Sequence, residues 1–237
     1  MKIITWNCNM AFRKKATVIL LHKPDILIVP ECEHPDKLLL EKDTLTPSDV
    51  LWYGTNKNKG IGVFSFGNYR LHLLDIHNPD LKIILPIAVT GGACDFTLFA
   101  IWAYNPQDPS YRYIGQVWKA VLYYENLLKN GRVLLAGDFN SNVMWDKLKR
   151  KVSHSMLVEK LADLKIFSTY HQHLNLAQGI EEHPTYFMYR HQNKPYHIDY
   201  CFASEEFIYK LETVEIGTHE EWANYSDHAP LIVSFKE

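Results

Sequence analysis

The sequence predicts an α/β sandwich, two packed mixed sheets with helices outside. Three observations carry that expectation. Residues 2–31 have strand–helix–strand spacing, residues 50–104 hold a run of short apolar segments cut by turn residues, and from 110 onward helical and strand-like segments alternate. No Gly/Ser-rich or Pro-rich linker, repeat or low-complexity tract interrupts the 237 residues, so one domain over 1–237 is expected.

Each element has its own local reason. Residues 2–7 form a short apolar strand, and 11–22 have helical spacing with a basic first turn. Lys23-Pro24-Asp25 stops that helix, because proline disfavours a helical residue before it. Residues 26–30 then read as a buried strand ending at Glu31. Strand-like runs follow at 50–53, 61–66, 69–76, 82–90 and 95–104, separated by Gly60, Gly67-Asn68, Asn78-Pro79-Asp80 and Gly91-Gly92. They are expected to make an antiparallel meander. Residues 110–129 predict a helix stopped by Asn130-Gly131, 133–136 a strand, and 153–164 a helix. The last strands are expected near 185–189, 196–202, 210–216 and 230–235.

Composition bounds the function. Hydrophobic residues make up 47% and charged residues 22%, which describes a folded globular chain and excludes a disordered one. The 25 basic and 27 acidic residues leave a net charge of −2, which excludes a uniformly basic nucleic-acid binder but leaves room for a local phosphate site. The N-terminus lacks the apolar core and cleavage site of a secretory signal, and no apolar run is long enough to span a bilayer. Cys8, Cys32, Cys94 and Cys201 are far apart and are expected to be reduced and buried in a cytoplasmic protein.

Polar residues gather at strand ends. Asn7, Glu31, Asp138, Asn140 and Asp199 each follow or end an apolar run, and Asp227-His228 precedes the last strand. A buried carboxylate needs a cation or donors, and a set of them at separate strand ends points to a shared site. Hard oxygen ligands suit Mg²⁺ or Mn²⁺, and no Cys/His spacing suggests a structural zinc. Asp138 and Asn140 are two apart, so an extended chain turns both to one side. An imidazole beside a phosphate needs a carboxylate to fix its tautomer and support its charge, and Asp199 is placed to pair with His228 from another strand.

In order along the chain stand Thr5-Trp6-Asn7-Cys8-Asn9, Pro30-Glu31, Gly62-Val63, Ala103-Tyr104, Gly137-Asp138-Phe139-Asn140, His197-Ile198-Asp199-Tyr200 and Ser226-Asp227-His228-Ala229-Pro230. This series resembles the endonuclease/exonuclease/phosphatase superfamily, the deoxyribonuclease I-like fold, from residue 2 to about 235. The resemblance implies a four-layer α/β/β/α sandwich of two mixed, mostly antiparallel sheets and metal-dependent hydrolysis of phosphate esters. It implies that Glu31 is the main ligand of a Mg²⁺ or Mn²⁺ ion, with Asn7 and Asp227 beside it. By the same resemblance Asp138 and Asn140 orient the attacking water and the phosphate, Tyr104 lies near the phosphate or leaving group, and His228 paired with Asp199 binds the phosphate. Which residue is the general base is open within the family; Asp138 is the choice made here. His197 stands where the family's strand often carries arginine, and Cys8 is an unusual neighbour of Asn7. His197, Tyr186 and Tyr196 are the substrate-side candidates, the tyrosines because related strands of abasic-site nucleases carry a sugar pocket.

The expected activity is hydrolysis of nucleic-acid phosphodiesters, DNA before RNA. A phosphatase or phosphodiesterase on a small molecule or lipid headgroup, and a non-catalytic binding module, are the alternatives. No membrane insertion and no obligate protein partner are expected. Residues 102–113 read as a substrate-side loop, and Arg13-Lys14-Lys15 and 147–151 as basic clusters, usually solvated helix faces. His171 and His173 read as neighbours on one strand face, more often solvated than metal-bound.

Overall fold

The computed structural model describes residues 1–38, 45–81, 83–104, 112–146 and 151–236. Most of the expected substrate-side loop, 105–111, and most of the second basic cluster, 147–150, lie outside the described residues.

In chain order the first half comprises β1 (Lys2–Thr5), α1 (Ala16–Leu20), β2 (Ile26–Cys32), β3 (Asp49–Asn56), β4 (Lys59–Ser65), β5 (Arg70–Leu73), β6 (Ile84–Thr90) and β7 (Phe96–Trp102). The second half adds α2 (Ile114–Tyr123), α3 (Glu125–Lys129), β8 (Val133–Asp138), α4 (His154–Asp163), β9 (Ile166–Ser168), α5 (Thr169–Leu174), β10 (Tyr186–Phe187) and β11 (Pro195–Tyr196). It ends with β12 (Asp199–Ser204), α6 (Glu205–Ile208), β13 (Leu211–Ile216), α7 (His219–Trp222) and β14 (Leu231–Phe235).

One six-stranded sheet has the order β13-β14-β1-β2-β4-β3, and the other β5-β6-β7-β8-β12-β9. Each contains one parallel pair, β1 with β2 and β7 with β8, among antiparallel neighbours. Those are the two places where the chain needs a crossover between neighbouring strands, and helices supply it.

The side-chain alternation of the central strands explains the layering. Ile26 and Ile28 point into a core shared with Leu98 and Leu134 of the other sheet, while Leu27 and Val29 point away into a second core with Ile19 and Trp222. On the other sheet Leu134 and Ala136 face the shared core, and Val133 and Leu135 face a third core with Val117 and Leu157 of α2 and α4. A strand buried on both faces reads as a continuous apolar run, and each fully buried aliphatic side chain contributes about 1.5–3 kcal/mol. Three cores make four layers, helix on sheet on sheet on helix, as expected.

Some local expectations fail for physical reasons. The helix expected over 11–22 splits into a turn at Phe12–Lys14 and the short α1, because Ala11 is left-handed (φ 50°) and Lys15 is non-helical. Lys15 turns its ammonium back to the carbonyls of Cys8 and Asn9, which holds that backbone out of helical register. The helix expected over 110–129 breaks at Tyr124, whose hydroxyl accepts from Asn78 N–H at 2.9 Å. His171 and His173 sit on α5 rather than on a strand, so two residues apart they diverge in direction. The strand expected over 196–202 is cut at 197–198, where the Thr185 hydroxyl takes the N–H groups of both Ile198 and Asp199. Cys8, Cys32 and Cys201 are buried, while Cys94 is only half-buried.

Candidate active site

The strand ends at one edge of both sheets converge. Asn7 lies just past β1, where the parallel ladder continues through Trp6 N–H to Ile28 O (3.0 Å) and Cys8 N–H to Pro30 O (3.1 Å). That ladder puts Asn7 beside Glu31. Glu31 is the extra residue of a β-bulge: the register of β2 on β4 shifts between Pro30 and Cys32, and Glu31 has φ 63°. A bulge re-aims a side chain, and a non-glycine residue at positive φ stores strain that its surroundings must hold. The Glu31 carboxylate is 18% exposed and pairs with Lys59 Nζ at 3.1 Å.

The second sheet supplies the carboxylates. Gly137, with φ 146°, precedes Asp138, and a Cβ at Gly137 would lie 1.9 Å from Ile101 O. Only glycine permits β7 and β8 to approach so closely there. Asp138 is buried at 1% exposure and stands in register opposite Asp199, which is fully buried. Amide groups hold Asp138: Asn7 Nδ2 donates to Oδ2 at 3.0 Å, Asn140 Nδ2 to Oδ2 at 2.8 Å, and Asn140 N–H to Oδ1 at 2.9 Å. Asn140, itself left-handed at φ 48°, also donates to Ala103 O at 2.8 Å.

His228 closes the site from the first sheet. Its Nδ1 lies 2.8 Å from Asp199 Oδ2, and Trp6 Nε1 donates to its carbonyl at 2.9 Å. Ser226 Oγ donates to Asn7 O (2.7 Å) and accepts from His228 N–H (3.0 Å), which ties the segment 226–228 to β1. Burial opposes charge on His228, yet Asp199, Asp138 and Asp227 together push its imidazole up to about 9. Burial, then the neighbouring Asp199, pushes the Asp138 carboxyl well above the usual range. One atom each from Asp138, Asp199 and His228 lies within 4.8 Å of the others. Asp199 Oδ1 has no hydrogen-bond partner among the described residues.

Tyr186 packs on His228 with ring centroids 4.6 Å apart and pairs with Tyr196 across β10–β11, at 6.1 Å between rings. Burial, then Asp227 and Asp138, pushes the Tyr186 hydroxyl up to about 12. Tyr104 follows Ala103, and its carbonyl accepts from Tyr113 N–H at 3.1 Å and from the Gln116 amide.

The geometry corrects the expectation for His197. Its ring is 4% exposed, wedged 4.6 Å from the Tyr170 ring and 4.9 Å from the Tyr200 ring, with Nδ1 on His183 O at 2.7 Å. The chain is not a strand at 197–198, where Thr185 takes the N–H groups of Ile198 and Asp199, so His197 escapes the two-residue repeat that would put it on Asp199's face and enters a buried polar cluster with His154 and His171. Burial drives the His197 and His154 imidazoles down to about 4. His171 there bonds Glu181 at 3.1 Å.

Sequence reasoning missed Thr185, Ser226 and Lys59 as working parts. Thr185 carried no signal beyond a short strand start. Ser226 stood inside a quoted motif, and Lys59 directly precedes the Gly60–Val63 run of β4.

Residues 4–228 match the model of the Endonuclease/Exonuclease/phosphatase family. The chain belongs to that family. Its members hydrolyse phosphate esters. No curated protein sequence matches the chain. Among solved structures, an AP endonuclease from Archaeoglobus fulgidus is similar at 20% identity and TM-score 0.72, with 100% of both chains covered. A 3′ phosphatase from Neisseria, bound to a product DNA hairpin, is similar at 23% identity and TM-score 0.69, again over 100% of both chains. An AP endonuclease from Leishmania major is similar at 14% identity and TM-score 0.69, covering 100% of this chain and 87% of that one. These likenesses establish the deoxyribonuclease I-like fold. No helix among the described residues is long and apolar enough to cross a membrane.

Proposed function

We propose that this family member is a divalent-metal-dependent nuclease that hydrolyses phosphodiester bonds of DNA, with RNA as the second choice. The observation that carries the reading is the aromatic pair Tyr186–Tyr196 lying against His228, a wall suited to a nucleotide sugar or base beside a phosphate donor. The Neisseria 3′ phosphatase with its DNA hairpin and the two AP endonucleases support a DNA substrate.

The donor set fits a hard divalent cation. Glu31, aimed out of its strand by the bulge, already draws a cation in Lys59, and Asn7 and Asp227 add oxygen donors. The nearby thiols of Cys8 and Cys32 are turned into the outer apolar core, so no soft ligand competes. Glu31, Asn7 and Asp227 would hold a Mg²⁺ or Mn²⁺ ion, which would supply Lewis-acid chemistry at the phosphate ester and charge relief for the leaving group.

The protein groups divide the remaining work. Asp138, fixed by Asn7 and Asn140, takes the proton of the attacking water. Asn140 spends its amide hydrogens on Asp138 and Ala103 and so works by holding the Asp138 carboxylate in place beside the phosphate. His228, held by Asp199, donates to a nonbridging oxygen as charge builds in the transition state. Tyr104 flanks the phosphate or the leaving group.

An activity panel with Mg²⁺ and Mn²⁺ tests the reading. Cleavage of single- or double-stranded, intact or abasic DNA, ahead of nucleotides and inositol phosphates, is the expected result. Turnover of small phosphate esters with no cleavage of DNA or RNA overturns it in favour of a phosphatase.

A further inference from the structure

A groove of about 490 Å³ lies beside Glu31, between the β3–β4 hairpin of one sheet and the end of β7 in the other. We propose that this groove is a second substrate subsite, which seats one nucleobase of the strand whose phosphate reaches Glu31 and His228. The inference rests on the nuclease reading above and deepens it.

Three features point to a base. The walls are flat rings: Tyr53, Trp102 and Tyr104 line the groove, with the Trp102 and Tyr104 centroids 6.0 Å apart. A volume of this size falls in the range of small-molecule sites, and aromatic walls favour a planar π-system. The charges of the described lining cancel, with Lys59 against Asp80, so the groove suits an uncharged ring better than a free phosphate. Exposed Thr55 and Asn56 stand at the hairpin end, where the polar edge of a base needs partners.

Two contacts make the groove continuous with the site. Lys59 Nζ bonds the Glu31 carboxylate at 3.1 Å and lies 5.1 Å over the Trp102 ring, so one side chain joins groove and carboxylate. Ala103, between Trp102 and Tyr104, accepts from Asn140 and donates its N–H to Asp138 O at 2.8 Å. A strand whose phosphate lies at Glu31 therefore has this groove next to it, reached past Lys59 and Ala103.

The test uses short DNA oligonucleotides in which single bases near the cut are replaced by a base-free tetrahydrofuran. Binding is read by fluorescence anisotropy in EDTA and cleavage with Mn²⁺. Removing the base that fills the groove should weaken binding by the wild type about 5- to 150-fold, the range carried by stacking on an aromatic side chain. Tyr53→Ala should lose the same factor on intact DNA and nothing more on the base-free strand, and Tyr53→Phe should restore it. Melting curves confirm that both variants fold. Wild-type protein that cleaves DNA yet ignores every base removal, or Tyr53→Ala with normal affinity, overturns the subsite and leaves the nuclease reading standing. Wild-type protein that neither binds nor cleaves any oligonucleotide overturns both.

Discussion

His228 Nδ1 lies 2.8 Å from Asp199 Oδ2, and this bond joins the two sheets: Asp199 opens β12 in one, and His228 precedes β14 in the other. The partners are 29 residues apart in sequence and are both buried. The dyad is therefore a cross-link between layers and, in the proposed mechanism, a catalytic device at the same time.

Removing either half should separate those roles. His228→Ala should lower kcat by about 10²–10³-fold, the range for losing a donor to transition-state charge. It should also lower the melting temperature, because Asp199 is left buried without its partner. Asp199→Asn should cost less in rate, since the ring remains. Near-normal turnover by His228→Ala would refute the assigned role.

The bulge at Glu31 gives a metal prediction. Glu31→Ala should abolish measurable Mg²⁺ binding in calorimetry. Lys59→Gln should act the other way and tighten Mn²⁺ binding by a factor of up to about five, the worth of a partly exposed ion pair. Unchanged affinity in Glu31→Ala would remove that residue from the metal site.

Gly137 offers a backbone test. Gly137→Ala places a methyl against Ile101 O and forces alanine to a φ of 146°. A loss of about 2 kcal/mol or more is expected in urea unfolding, with a drop in activity as Asp138 shifts. A variant as stable as the wild type would show that β7 and β8 can part without cost.

The buried histidines set the acid limit of stability. His154 and His197 have folded pKa values depressed to about 4, against about 6.5 for free histidine. Between those values the unfolded chain binds protons that the folded chain refuses. The stabilisation is complete above pH 6.5 and is lost as pH falls toward 4, by as much as about 3 kcal/mol per histidine. Urea midpoints measured from pH 7.5 to 4.5 should fall across that window. A flat profile would mean that both rings accept protons in place.

Salt distinguishes the substrate classes. A nuclease that engages several phosphates should show a log–log slope of binding against salt of about −3 or steeper, and a small ester a slope near −1. The shallow slope with DNA would count against an extended strand footprint.

The layers and the dyad were legible because they rest on local patterns. The apolar runs of β2, β7 and β8 announce strands buried on both faces, and the Asp138, Asp199 and His228 motifs each sit at a strand end. What escaped the sequence depends on contacts across the chain. The break at Lys15 follows from carbonyls that the fold brings to its ammonium. The three-residue β9 and the short α6 are too brief to show a period. His197 was misplaced because two residues before Asp199 suggests the same strand face, whereas the hydroxyl of Thr185, distant in sequence, breaks the strand at 197–198 and lets the ring turn toward Tyr170 and Tyr200.

β1 lies between β14 and β2, so an early strand is completed by one made more than 200 residues later. Asn7 is held through Ser226, 219 residues away, and Trp6 through His228, 222 residues away. On a growing polypeptide, the early half of this catalytic edge stays open until the 226–235 segment arrives to zip along β1. Assembly of the edge is thereby coupled to synthesis through residue 235, and a truncated product that reaches β12 but not β14 carries Asp138 and Asp199 with no His228 imidazole to join them.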